Sequence, residues 1–119
     1  MLTIFPVNEK ELENYGDIEE NVVILSAKEN NKELAYISFN LFDNKAQIID
    51  IKIYTKDDTK ELTDALIKSV ISYLLNRNVF ICESTNSNLF FILEDFGFRK
   101  LDDKMVIDIT KIIKRCKHC

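Results

Sequence analysis

The chain has 119 residues, enough for one domain with its own core, and no Gly/Ser-rich or Pro-rich linker divides it. With 46% hydrophobic and 30% charged residues it reads as a globule and not as a disordered tail. A formal charge of -4 argues against nucleic acid or an anionic membrane as the main partner, because those surfaces are bound through clustered positive charge. Met1 to Pro6 has no basic flank or cleavage signature, and no stretch nears the roughly 18 apolar residues of a membrane span, so a cytoplasmic location is expected. Of three cysteines, Cys82 falls inside an apolar strand, which argues against a secreted disulfide framework.

Leu2 to Phe5 reads as a short strand, and Asn8 with Glu11 three residues later resembles a capping box opening a helix over residues 8 to 15. Val22 to Lys28 is β-branched and apolar. Asn30 and Asn31 tolerate the positive φ of a tight turn, so a hairpin into Glu33 to Phe42 is predicted, with Ala35, Ile37, Phe39 and Leu41 on its buried face. Asp43 to Lys45 turns the chain into a third strand, Ala46 to Tyr54. Its apolar positions change parity, which calls either for two covered faces or for a β-bulge near Ile48 and Ile49. Lys60 to Asn76 carries apolar residues at helical spacing, and Asn78 can end that helix before a buried strand, Val79 to Glu83. Ser84, Thr85 or Asn86 can cap a second helix reaching Phe96, which Gly97 closes. Phe98 to Leu101, a turn at Asp102 and Asp103, and Met105 to Ile109 form a last hairpin. The expected fold is α/β (α+β): a mixed, mostly antiparallel central sheet with one β-α-β crossover and helices on its faces. Residues 1 to 119 read as a single domain whose last ten, 110 to 119, form a basic tail with cysteines.

This order of elements, with Asn86, Gly97 and Phe98 in the run Asn86 to Phe98, resembles the GNAT acyltransferases over nearly the whole chain. The resemblance implies an N-acetyltransferase in which a strand and the helix after it hold the pyrophosphate of acetyl-CoA. It places Ile53 at the strand end and Ala65, Leu66 and Ile67 at the small and aliphatic positions of the following helix. It also places Asp58 where the family has Arg or Gln, and Thr59, Glu61 and Thr63 where glycines belong. The cofactor loop is therefore expected to be impaired, with Lys56 and Lys60 as its remaining cations and Asn86 as a further cofactor-side residue. Leu93 falls at the tyrosine that often protonates the departing thiolate, and leucine has no proton to donate. Asp57, Asp58 and Glu61 also have a purely structural explanation, since Asp58-x-x-Glu61 can form a capping box at a positive helix end.

Two carboxylates are candidate general bases. Asp50 lies mid-strand beside the suspected bulge, near where the resembling enzymes accept a proton from an amine, although strand alternation could equally leave it on a solvated face. Glu83 ends the crossover strand among apolar neighbours that would raise its pKa, unless it is simply exposed. His118 is the one histidine, which argues against an internal Ser-His-Asp system. Cys116 and Cys119 have zinc-ligand spacing, but one such pair does not make a structural site and no metal is expected. The acceptor would be an amine, small molecule or protein. The alternative function is a non-catalytic interaction or ligand-sensing module that keeps the fold. Phe90, Phe91 and Phe96 exceed one buried stripe and leave a homodimer open as an arrangement.

Overall fold

The computed structural model describes residues 2–19 and 21–111. Its strands are β1 (Leu2–Pro6), β2 (Val22–Glu29), β3 (Lys32–Phe42), β4 (Lys45–Ile53), β5 (Ile81–Ser84), β6 (Arg99–Leu101) and β7 (Lys104–Asp108), and its helices α1 (Glu9–Leu12), α2 (Thr59–Leu75) and α3 (Phe90–Phe96). A 3-10 turn, Glu13–Tyr15, extends α1, and another, Ser87–Leu89, leads into α3. The tail from Ile112, with Cys116, His118 and Cys119, lies outside the described residues. Among the described residues no helix is long and apolar enough to cross a membrane.

The strands form one sheet in the order β1-β2-β3-β4-β5-β7-β6, antiparallel except for β4 and β5. Local chemistry sets the turns. Asn30 and Asn31 both take positive φ, as do Asp43 and Asn44, the geometry that matches the twist of a hairpin. Asn78, at φ 58°, ends α2 in a left-handed conformation, and the Val79 N–H closes back on the Leu74 carbonyl at 2.9 Å. Gly97, at φ 129°, ends α3 in a region that L-residues rarely adopt, and the Phe98 N–H bonds the Leu93 carbonyl.

The parity change in β4 is a bulge. Ser38 pairs with Asp50 and Phe39 with Ile48, so Ile49 is the extra residue. A second irregularity, between Ala27 and Lys28, has no counterpart in the sequence reading. Both long helices pack on one face of the sheet, where Leu66, Ile67, Val70 and Leu74 of α2 and Leu93 of α3 bury against Ile37, Phe39, Ala46, Cys82 and Met105. Each such aliphatic side chain contributes about 1.5 to 3 kcal/mol by leaving water, so Leu66→Ala, at a fully buried site, would cost about 2 to 5 kcal/mol. The opposite face carries the α1 segment, with Tyr15 packed edge-on against Tyr36 at 5.0 Å between ring centres. Helices on both faces, as expected, thus means two long helices on one and a single turn on the other.

Candidate functional site

Parallel pairing between β4 and β5 lasts only from Lys45 and Ile81 to Gln47 and Glu83. Beyond it β4 continues to Ile53, whereas β5 ends at Ser84. Side chains bridge the start of the gap: Ser84 Oγ donates to the Ile48 carbonyl at 2.8 Å, and Asn86 Nδ2 to that of Ile49 at 2.9 Å. Past this point the sheet is open, and a groove of about 510 Å³ runs between Ile53, the first turns of α2 and the outer side of α3. Its walls include Ile67, Ile92 and Phe96, with Thr59, Lys60, Thr63, Asp64 and Asp95 as polar groups.

The start of α2 differs from the expected capping box. Asp58 occupies the N-cap position but takes a left-handed conformation, φ 53° and ψ 36°, and its side chain accepts no capping hydrogen bond. A cap residue needs extended backbone to turn its oxygen onto the first turn, and a left-handed one cannot do so. No acceptor among the described residues takes the N–H of Thr59, Lys60 or Glu61. The mouth of the groove is therefore a helix N-terminus with free donors and a positive dipole end. Asp57, Asp58 and Glu61 stand exposed around it.

Ile53 and Lys60 line the groove, while Lys56 is exposed outside it. Asn86 is taken up structurally: besides holding Ile49, its side chain accepts from the Asn88 N–H at 3.1 Å, capping the turn before α3. It is thus a positioning residue for the bulge, with both ends of its amide engaged. Leu93 is fully buried, so the position where the resemblance puts a tyrosine belongs to the core.

The two carboxylates separate. Glu83 is buried, not exposed, and ion-paired with Lys104 at 2.9 Å and Lys45 at 3.3 Å. Burial pushes its pKa up, but hydrogen bonds and charge from the two lysines outweigh that and hold the carboxyl below its ordinary range. The carboxyl is thus held low where a raised pKa was expected, because Lys104 comes beside Glu83 only through the pairing of β5 with β7. The neighbouring Cys82 thiol is pushed up to about 12, by burial first and then by the Glu83 charge, and is inert as a nucleophile. Asp50 is exposed just after the bulge and lines a second cavity, about 410 Å³, on the face opposite α2. That cavity, formed with Tyr15, Asp17, Glu19, Tyr36 and Asn40, lies in three separate stretches of sequence and was not foreseen; only the run of acids at 17 to 20 marks it. Tyr15 donates to Glu33 and Ser26 donates to the same oxygen, fixing the segment over the sheet. Burial raises the pKa of both Tyr15 and Tyr36, so these phenols stay neutral.

Solved structures share this fold. The ribosomal-protein-S18-alanine N-acetyltransferase from Escherichia coli matches with TM-score 0.72 and 16% identity, over 92% of this chain and 94% of that one. This is the GNAT fold. The PaiA N-acetyltransferase from Thermoplasma acidophilum, solved in complex with coenzyme A, matches with TM-score 0.68 and 12% identity over 89% of this chain and 96% of that one. A GNAT family acetyltransferase from Elizabethkingia anophelis, with acetyl-CoA bound, matches with TM-score 0.68 and 13% identity over 90% and 97%. No protein-family model and no curated protein sequence matches the chain. The GNAT fold thus comes here with a sequence far from those of its structural neighbours, and fold alone does not fix chemistry.

Proposed function

We propose that the chain is a cytoplasmic N-acetyltransferase that binds acetyl-CoA weakly in the groove between β4, α2 and α3 and transfers the acyl group to an amine held at Asp50. The observation that carries this reading is the open groove with the unpaired N–H groups of Thr59, Lys60 and Glu61 at its mouth. The residues fit the cofactor unevenly. The apolar walls at Ile53, Ile67, Ile92 and Phe96 suit a slender acyl-bearing arm, and the free N–H groups suit a phosphate oxygen. Three carboxylates around the same helix start repel that phosphate, and Lys60 is the one cation lining the groove.

Acetyl-CoA, when bound, supplies an activated acyl carbonyl. Asp50 would accept the proton that the attacking amine gives up. Leu93, fully buried and without a proton to donate, would give the leaving group no general-acid help, which lowers the expected rate by about 10²- to 10⁴-fold. Asn86 keeps the bulge, and with it Asp50, in place through the Ile49 carbonyl. The test is calorimetry and thermal melting with millimolar acetyl-CoA. A binding heat and a raised melting temperature are expected, and the absence of both would sink the enzyme reading.

A second reading is supported by two side chains. Leu93 has gone to the core, and Phe91 is 86% exposed on the rim of the groove, as an aromatic contact for a partner would be. On this reading the fold is a non-catalytic ligand-sensing or interaction module, or one half of a homodimer. Light scattering showing a monomer, together with acetyl transfer to any amine, would remove it.

A further inference from the structure

The groove between β4, α2 and α3 does not fit the phosphate end of acetyl-CoA. Two carboxylates line it, Asp64 and Asp95, against one lysine, Lys60. Asp64 has its own counter-charge in Lys68 at 2.8 Å, so Lys60 is matched by Asp95 and the lining has no surplus of positive charge. At the mouth, Asp57, Asp58 and Glu61 are exposed and ion-paired with no described residue. A phosphate at the start of α2 would meet all three, and like charges gathered at one helix end repel even at a solvated surface.

Nor is the backbone bare behind them. Thr59 and Thr63 place branched side chains on the groove wall about one helical turn apart, and Thr63 Oγ1 already donates to the Thr59 carbonyl at 2.8 Å. The rest of the wall is apolar. Ile53, Ile67, Ile92 and Phe96 border a space of about 510 Å³, within the range of small-ligand sites. The N–H groups of Thr59, Lys60 and Glu61, free at the mouth, need an acceptor and not a charge. A neutral amide carbonyl accepts from them without setting an anion among carboxylates.

We propose that this groove takes an acyl thioester of a neutral, amide-bearing thiol, held along its apolar arm, and that phosphate groups on the donor add nothing to its affinity. The proposal rests on the acyl-transfer reading above and names the donor class of that same site. S-acetylpantetheine, the phosphate-free arm of acetyl-CoA, is then a sufficient ligand.

The test is calorimetric titration of the full chain with S-acetylpantetheine, S-acetylphosphopantetheine and acetyl-CoA at low and high salt. A site built for phosphate gains affinity with each phosphate added and loses that gain as salt is raised. Here S-acetylpantetheine is expected to bind within about threefold of acetyl-CoA or more tightly at low salt, with the phosphorylated ligands gaining as salt is raised. Asp57→Asn with Asp58→Asn and Glu61→Gln is expected to tighten acetyl-CoA by at least about tenfold and leave S-acetylpantetheine within about twofold. Asparagine also adopts the left-handed backbone that Asp58 holds at φ 53°, and the wild-type ligand series decides the matter even if the variant folds poorly. Acetyl-CoA binding more than about threefold more tightly than S-acetylpantetheine to the wild type, or equal tightening of both ligands in the variant, overturns the donor assignment and leaves acyl transfer standing. S-acetylpantetheine that binds as described while no amine is ever acetylated leaves the groove assigned and removes the proposed activity. No heat with any of the three at millimolar concentration overturns both.

Discussion

Asn86 reaches back across the end of β5 to donate to the carbonyl of Ile49, the extra residue of the β4 bulge, at 2.9 Å. The same side chain caps the turn before α3 through the Asn88 N–H. One residue thus couples the start of α3 to the strand that presents Asp50. Asn86→Ala removes a cap and leaves the Ile49 carbonyl without its partner, for an expected loss of about 1 to 2 kcal/mol, read as a lower urea midpoint at unchanged slope. If Asn86 instead acted by holding cofactor, the variant would lose acetyl-CoA affinity at unchanged stability.

Glu83 joins β4 to β7 through Lys45 and Lys104. Its folded pKa lies below the unfolded value, so its contribution is present in full above about pH 4.5 and is lost as the pH falls through the folded pKa. Glu83→Gln leaves two lysines facing each other without their counter-charge, and a loss of about 1 to 3 kcal/mol is expected at neutral pH. Urea unfolding from pH 7 to pH 3 checks both points. The gap between wild type and variant should hold steady to about pH 5 and narrow below it; a gap that widens in acid would contradict the ion pair.

What the sequence made legible was local. The turns at Asn30 and Asn31 and at Asp43 and Asn44, the stop at Asn78, the closing Gly97 and the bulge at Ile49 all follow from residue types within a few positions. The Asn8 and Glu11 pair also forms, with the Asn8 side chain accepting from the Glu11 N–H at 2.9 Å. Glu83 was not legible, because its partner Lys104 reaches it only through the pairing of β5 with β7. Asp58 was misleading because it has the right residue type and spacing for a cap, whereas its backbone is left-handed and its side chain makes no capping bond.

That left-handed backbone makes Asp58 an informative position for the cofactor. Asp58→Gly removes one repelling carboxylate and relieves φ 53°, so a gain of about 0.5 to 1 kcal/mol in stability is expected. With Glu61→Gln added, acetyl-CoA should bind several-fold more tightly, since each neutralised carboxylate at a helix start ceases to oppose phosphate. The gain should shrink at high salt, which already screens the repulsion in the wild type. Calorimetry at two salt concentrations checks this, and unchanged affinity would mean that the groove does not take phosphate at α2.

Leu93 tests how far the fold has moved from the chemistry its resemblance implies. The side chain is fully buried between α3 and the sheet, in contact with the cluster that holds Leu89, Phe98 and Met105. Tyrosine at this position must place a larger ring and a hydroxyl in a packed core. Leu93→Tyr is therefore expected to destabilise by about 1 to 3 kcal/mol without restoring a proton donor to the groove. Thermal melting together with an acetyl-transfer assay checks this. Wild-type stability with faster transfer would show that the ring finds the groove and that the acid can be restored by one substitution. Loss of stability with no gain in rate would show that α3 has repacked around the smaller leucine, so that recovering the acid requires its neighbours to change as well.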